Sequence, residues 1–346
     1  MALTILLIYL LELTGLPAAR FLGPLIAALA FSVGGFRPTI PPSFFTFAKG
    51  MLGVRIAQSL GPDFFSILGG SWPFLACGTL WAMLSTAALG IILTRRKVMP
   101  GPTAIWGLSP GGASVMTLLS AEHGADMRMV ALMQYTRVVL VSLVCIMVAR
   151  LMLPGVSLPG VASQGLFPPF SPYDLLVTIV TALIALYISK KTNFPGGDII
   201  FSMILVALVR NLAHVDTTLP PFILFPCYII IGYRIGGNFS MADLKRGFRI
   251  YHWILISILA MIAFCGLFGY IMWAYGGFDS LTAYLSTSPG GLDVVTIIAA
   301  GTDAGLPFIA AMQTLRLFAV ILLGPWLARL CMRVAGLELP VTRKQA

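Results

Sequence analysis

Apolar residues run in long blocks along this chain, and short polar stretches between the blocks carry most of the charge. In the N-terminal half the apolar segments lie near 2–14, 16–34, 43–60, 72–93, 103–121 and 127–153. In the C-terminal half they lie near 172–189, 194–212, 219–236, 249–275, 281–300 and 306–333. A helix that crosses a ~30 Å hydrocarbon core needs roughly 20 residues at 1.5 Å rise. The pattern therefore predicts an all-α polytopic membrane protein. Several segments are marginal in length, so length alone leaves the number of crossings open. Residues 2–13 (ALTILLIYLLEL) have no basic start and read as the first membrane segment rather than a signal peptide.

Composition points the same way. Of 346 residues, 58% are hydrophobic and only 10% charged, against about 25% charged in a soluble domain. That leaves too little polar surface to cover a globule in water. The 22 Lys and Arg exceed the 12 Asp and Glu and give a net charge of +10. In a membrane protein this excess is first explained by basic cytoplasmic loops, not by nucleic acid. The five cysteines (Cys77, Cys145, Cys227, Cys265, Cys331) are scattered in apolar runs without a CxxC pair and read as small hydrophobes. The three histidines (His123, His214, His252) lie far apart, which weakens a metalloenzyme reading.

The chain also repeats itself. SPGG occurs at 109–112 and again at 288–291, 179 residues later, and the same offset carries SPGGASVMTLLSAEHGADMRMVALMQYTR over SPGGLDVVTIIAAGTDAGLPFIAAMQTLR. Twelve of these 29 positions are identical, among them Val115/Val294, Thr117/Thr296, Met133/Met312, Gln134/Gln313 and Arg137/Arg316. The offset reaches back to GVRI (53–56) over GYRI (232–235). Shared apolar bias does not produce matched Pro, Gln and Arg at one offset. The expected organisation is a first membrane repeat over 1–155, a second over 170–336 and a short cytoplasmic tail over 337–346.

Charge selects among topologies. Five basic residues (Lys49, Arg55, Arg137, Arg234, Arg316) sit within segments, and with twelve crossings the other 17 divide 10 to 7 between the two sides. If the fifth segment of each half dips in and returns, they divide 14 to 3, as the positive-inside rule requires. Ten transmembrane helices plus two re-entrant or broken SPGG segments follow. Five crossings per half is an odd number, so the two tandem repeats are inverted, as in many secondary transporters.

Ser-Pro-Gly-Gly within an apolar run breaks a helix, because proline lacks an N–H and glycine favours non-helical dihedrals. Such a break must be buried in protein or line a wet cavity. The helix that restarts after it directs free N–H groups and a positive dipole end at that cavity, a setting for an anion. The substrate-binding candidates are Ser109, Pro110, Gly111 and Gly112 with Ser288, Pro289, Gly290 and Gly291. Gln134, Arg137, Gln313 and Arg316 join them, each Gln–Arg pair sharing a helix face at i,i+3 spacing. Two roles stay open for the arginines. A guanidinium fork matches an oxyanion, and it equally suits carbonyls of the broken segment or an acid such as Asp293. Asp293, with Thr117 and Thr296 on the same arms, is the candidate for ion coupling; it also suits the first turn of its own helix. Glu122, His123 and Asp126 have Gly301, Thr302 and Gly305 as counterparts, so that cluster reads as a solvated loop and not as a metal site. Lys245, Arg246 and Arg249 read as residues that reach the inner leaflet.

With SPGG and MQxxR in two copies, residues from about 10 to 335 resemble the AbrB family of bacterial membrane proteins, also labelled ammonia monooxygenases. LPAARFLGP (16–24) carries part of the likeness, whereas the second half has FPGGDIIFS (194–202) in place of the usual LP-x-x-x-LLGP pattern. One family label implies regulation of gene expression and the other an oxygenase. The layout is also similar to that of glutamate and citrate symporters, at the level of fold alone.

The expected function is secondary transport of a small anionic solute, with no enzymatic activity and no cofactor beyond a coupling H⁺ or Na⁺. The expected location is the bacterial cytoplasmic (inner) membrane, with both termini cytoplasmic. The expected partners are the lipid bilayer and a small-molecule anion, with a homodimer left open and no nucleic acid. One alternative is a membrane sensor or regulator that affects gene expression indirectly, since no soluble DNA-binding domain is expected. The other is a membrane monooxygenase, which would need copper or iron on soft or imidazole ligands.

Overall fold

A computed structural model of the chain describes residues 2–13, 19–36, 39–59, 64–99, 101–152, 170–212, 217–290, 295, 298–299 and 304–336. Among them are thirteen helices and no strand. The first half supplies α1 (Ala2–Leu13), α2 (Ala19–Val33), α3 (Pro42–Ala57), α4 (Phe64–Arg95), α5 (Thr103–Leu108), α6 (Ala113–Glu122) and α7 (Met127–Met152). The second supplies α8 (Pro172–Thr192), α9 (Gly197–Leu212), α10 (Pro221–Gly236), α11 (Met241–Gly276), α12 (Ser280–Thr287) and α13 (Leu306–Val334). The described parts of the apolar segments read from the sequence are mainly helix, and the fifth of the first half is split at SPGG into α5 and α6. Among the described residues five spans are long and apolar enough to cross a membrane: Gly69–Arg95, Met127–Met152, Pro172–Thr192, Met241–Gly276 and Leu306–Val334. Ala2–Leu13, Ala19–Val33 and Pro221–Gly236 are shorter apolar helices.

Local chemistry sets the ends. α8 starts on Ser171, whose hydroxyl accepts from Asp174 N at 3.3 Å, and carries Pro172 in its first turn. It stops at Asn193 in the left-handed conformation, after Lys190 and Lys191 at its negative dipole end. α11 opens with a reciprocal cap, Asp243 N on Ser240 Oγ at 3.2 Å and Ser240 N on Asp243 Oδ2 at 2.9 Å. α4 begins earlier than its apolar pattern predicts and kinks at Ser71 (φ −123°, ψ 20°), two residues before Pro73.

The helices form two compact units, and each takes helices from both halves. The first holds Met1–Leu60 with Ala162–Leu244, hence α1–α3 and α8–α10. Within it α2 packs on α10 and α3 on α9, while α1 flanks α2 and α8 flanks α9. Small residues let these backbones meet. A methyl group on Gly53 would strike the carbonyl oxygen of Ile199, and one on its counterpart Gly232 would lie 3.0 Å from Leu25 N. One on Gly236 would strike the Leu25 carbonyl oxygen.

The second unit holds Gly61–Val161 with Lys245–Ala346. α5 and α12 each pack against both α7 and α13. One apolar core joins Ala82, Leu108, Met133, Ile258 and Met261; another joins Val141, Cys145, Leu285, Ile298 and Ile309. α11 turns Ile254, Ile258, Met261 and Met272 inward and leaves Ile256, Leu259, Phe264 and Leu267 exposed. An apolar outer face of this kind suits lipid and not water.

Gly236→Ala should cost about 1–3 kcal/mol, because the methyl group meets backbone that has nowhere to move. Gly69→Ala, where nothing lies within 4 Å, should be neutral or slightly stabilising. Thermal unfolding of the two variants in detergent checks the contrast.

Candidate functional site

The two SPGG breaks lie in the second unit and share one geometry. Ser109 N closes the last turn of α5 on Ile105 O at 3.1 Å, and Ser288 N closes α12 on Tyr284 O at 2.9 Å. Then both serines turn extended, Ser109 at φ −54°, ψ 128° and Ser288 at φ −56°, ψ 137°. A residue that precedes proline is driven out of the helical region, so Pro110 and Pro289 impose the break. Gly112 is non-helical, as the run implies, and none of Gly111, Gly112 and Gly290 has positive φ. Gly112, at φ −60°, ψ 130°, adopts a conformation open to any residue. What Gly111 provides is room, since a methyl group there would press 2.7 Å from Met116 Cε. Gly112 begins α6 with no side-chain cap, so the first amides of that helix have no hydroxyl or carboxylate from their own N-cap.

A break in apolar surroundings strands carbonyl oxygens, and an unmatched buried one costs about 1–3 kcal/mol. The Gln–Arg pairs match them. Arg137 Nη1 donates to Ser109 O at 2.7 Å and Nη2 to Gly111 O at 3.0 Å. Gln134 Nε2 donates to Trp106 O at 2.9 Å and Ser109 O at 3.0 Å. In the second copy Arg316 Nη1 donates to Ser288 O at 2.8 Å and Nη2 to Gly290 O at 3.2 Å. Gln313 Nε2 donates to Leu285 O at 2.9 Å and Ser288 O at 3.1 Å, and Arg316 Nη2 also donates to Gln313 Oε1. Each of the four interactions of the first copy reappears 179 residues on, whereas Gln134 Oε1 has no partner to match the Arg316–Gln313 bond. Of the two roles left open for the arginines, the structure displays the brace: both forks close on backbone carbonyls.

All four side chains are buried, Arg137 at 2% and Arg316 at 4% exposure. The two guanidinium groups lie within electrostatic range of each other, and Cys265 of α11 lies within range of both. Among the described residues no carboxylate pairs with either arginine, and Nε of each has no hydrogen-bond partner. Gly291, Asp293 and Thr296 lie outside the described residues. Thr117 is buried and its hydroxyl donates to Ala113 O at 2.7 Å, a back-bond within its own helix. Ser109 Oγ donates likewise to Ile105 O at 3.0 Å.

Sequence reasoning missed one matched pair. Thr103 Oγ1 accepts from Asp126 N at 3.1 Å, and Thr282 Oγ1 accepts from Gly305 N at 2.7 Å. These hydroxyls tie the start of each fifth segment to the turn before the sixth. The signal was present, since Thr103 and Thr282 keep the offset of 179, but they precede the aligned run by six residues. A second omission is in the first unit, where Lys49 Nζ lies 2.7 Å from Asp198 Oδ2 and Ser189 Oγ donates to Asp198 Oδ1 at 2.6 Å. Neither Ser189 nor Asp198 belongs to a repeated motif. Glu122, His123 and Asp126 do not converge as ligands. His123 Nδ1 contacts Leu119 O at 2.8 Å, and Asp126 pairs with Arg128 at 3.2 Å. Among the described residues no three His, Cys, Asp or Glu side chains lie together.

Long apolar helices with two braced breaks in one unit define a helical membrane protein. A family model described as "Transition state regulatory protein AbrB" matches residues 21–332, and the chain belongs to the AbrB family. It is 40% identical over 314 residues to "Putative regulator AbrB" of Escherichia coli (strain K12), covering 91% of this chain and 90% of that protein. It is 24% identical over 351 residues to "Uncharacterized protein YhjN" of Bacillus subtilis (strain 168), covering 95% and 91%.

Arg137→Lys keeps the charge but replaces a planar fork with one ammonium group, which cannot span Ser109 O and Gly111 O in the same way. Stability should fall by about 1–3 kcal/mol, read as a lower unfolding temperature in detergent. Arg316→Lys should behave alike.

Proposed function

We propose that the chain is a secondary transporter of a small anionic solute. It is built from two tandem inverted repeats with ten crossings and two re-entrant segments, and its site lies where the two SPGG breaks approach. The observation that carries this reading is the duplicated brace. Two helix breaks at equivalent positions are held by equivalent Gln–Arg pairs whose charges feel each other. The arms support the re-entrant form. α5, α6 and α12 have 6, 10 and 8 residues, or about 9, 15 and 12 Å at helical rise, each short of a ~30 Å core.

The geometry shifts the task of recognition. With both forks committed to carbonyls, the solute meets the uncapped first amides of α6 and the Ser288 hydroxyl, while the buried guanidinium charges set the sign of what enters. H⁺ or Na⁺ is the coupling ion, and Asp293 is its carrier in preference to Thr117, whose hydroxyl is already engaged. The basic split supports a cytoplasmic-membrane location with both termini inside. No catalytic residue is assigned. The regulator name of the Escherichia coli relative supports a second reading, in which the protein alters transcription indirectly through the level of its solute.

Purified protein in liposomes should move labelled organic anions down a gradient, and Arg316→Gln should slow the flux about tenfold or more, which corresponds to about 1.4 kcal/mol. Folded protein that moves no anion across a panel of carboxylates and inorganic oxyanions overturns the transport reading. A deletion strain with altered transcription but unaltered anion uptake favours the second.

A further inference from the structure

Several helix ends of the second unit converge, and they bring together a concentration of positive charge. Arg95, at the end of α4, donates from Nη2 to Val334 O at 2.7 Å and so joins the end of α13. Arg96, next to it, lies 5.2 Å over the Trp253 ring of α11. Beneath them Val98, Leu132 of α7, Ile250 and Trp253 pack on one apolar core. Arg95, Arg96 and Lys97 thus face the same end as Lys245, Arg246 and Arg249, and all six are exposed. No carboxylate pairs with any of them among the described residues. The nearest acid on α11, Asp243, caps the helix through Ser240.

The length of α11 sets the depth of this cluster. Its 36 residues extend about 54 Å, well beyond a ~30 Å hydrocarbon core. The first turns therefore stand at headgroup level. Phe248, between Arg246 and Arg249, is 84% exposed, and Trp326 of α13 is exposed as well. Exposed aromatic rings beside unpaired basic side chains are the composition of a membrane interface.

We infer that this end of the second unit is a binding site for anionic glycerophospholipid. The phosphodiester headgroups are held between α4 and α11 by Arg96, Lys97, Lys245 and Arg246, and Phe248 lies among the acyl chains. Arg95 joins the end of α4 to the end of α13, and Arg96 over Trp253 joins it to α11. The assignment does not depend on the transport reading.

Native mass spectrometry of the purified full chain tests it, with phosphatidylglycerol and phosphatidylcholine titrated separately in neutral detergent. Phosphatidylglycerol should bind at least about tenfold more tightly than phosphatidylcholine, and the preference should weaken as salt rises. The triple substitution Arg96→Gln, Lys245→Gln, Arg246→Gln should remove most of the preference, whereas Arg150→Gln, an exposed position on another helix, should keep it. The charge-retaining variant Arg96→Lys guards against loss of fold and should also keep it. Equal binding of the two lipids, a preference indifferent to salt, or an unchanged preference in the triple variant overturns the proposal. Full competition by inorganic phosphate at equal concentration overturns it too, and would identify a site for free phosphate.

Discussion

Everything distinctive in this protein rests on satisfying backbone carbonyls where a helix is interrupted far from water. Proline forces the interruption, and the carbonyls on either side lose their partners in the next turn. Water would satisfy them at a surface, but here the surroundings are apolar side chains. A guanidinium group is the one side chain that presents several donors in a fixed plane. Arg137 and Arg316 use two of those donors on carbonyls two residues apart, and a glutamine one turn earlier takes a third carbonyl.

The same arrangement concentrates positive charge. Two buried arginines without carboxylate partners among the described residues are costly to place in an apolar unit. The carbonyl dipoles offset part of that cost and leave a positive potential around the breaks. Structural support and electrostatic bias are therefore two effects of one set of bonds.

Much of this was legible in the sequence, because membrane segments leave strong patterns. The described parts of the apolar segments are mainly helix, and the matched Pro, Gln and Arg at a constant offset pointed to the breaks and the residues that hold them. What pattern could not convey was which of two chemistries an arginine performs, since a fork suits a carboxylate and a pair of carbonyls equally. Only coordinates place Ser109 O and Gly111 O under Arg137. The glycines were legible only in kind, since Gly112 is non-helical as the run implies. Their permissiveness is a property of the residue, whereas the extended turn here is imposed by proline on the serine before it. Thr103 and Thr282 were missed because a single repeated hydroxyl in apolar surroundings carries no local signature. The Lys49–Asp198 pair joins helices from different halves and has no counterpart at the repeat offset, so no motif announced it.

The exchange of helices between halves sets the order in which the chain can be completed. α2 and α3 leave the ribosome early, yet the surfaces they bury belong to α9 and α10, roughly 150–200 residues later in the chain. At about 5–20 residues per second that is a wait of roughly 10–40 s. Through that interval Gly53 and its neighbours must rest against lipid or a helper protein. A chain cut between its halves would thus hold two incomplete cores rather than two working modules.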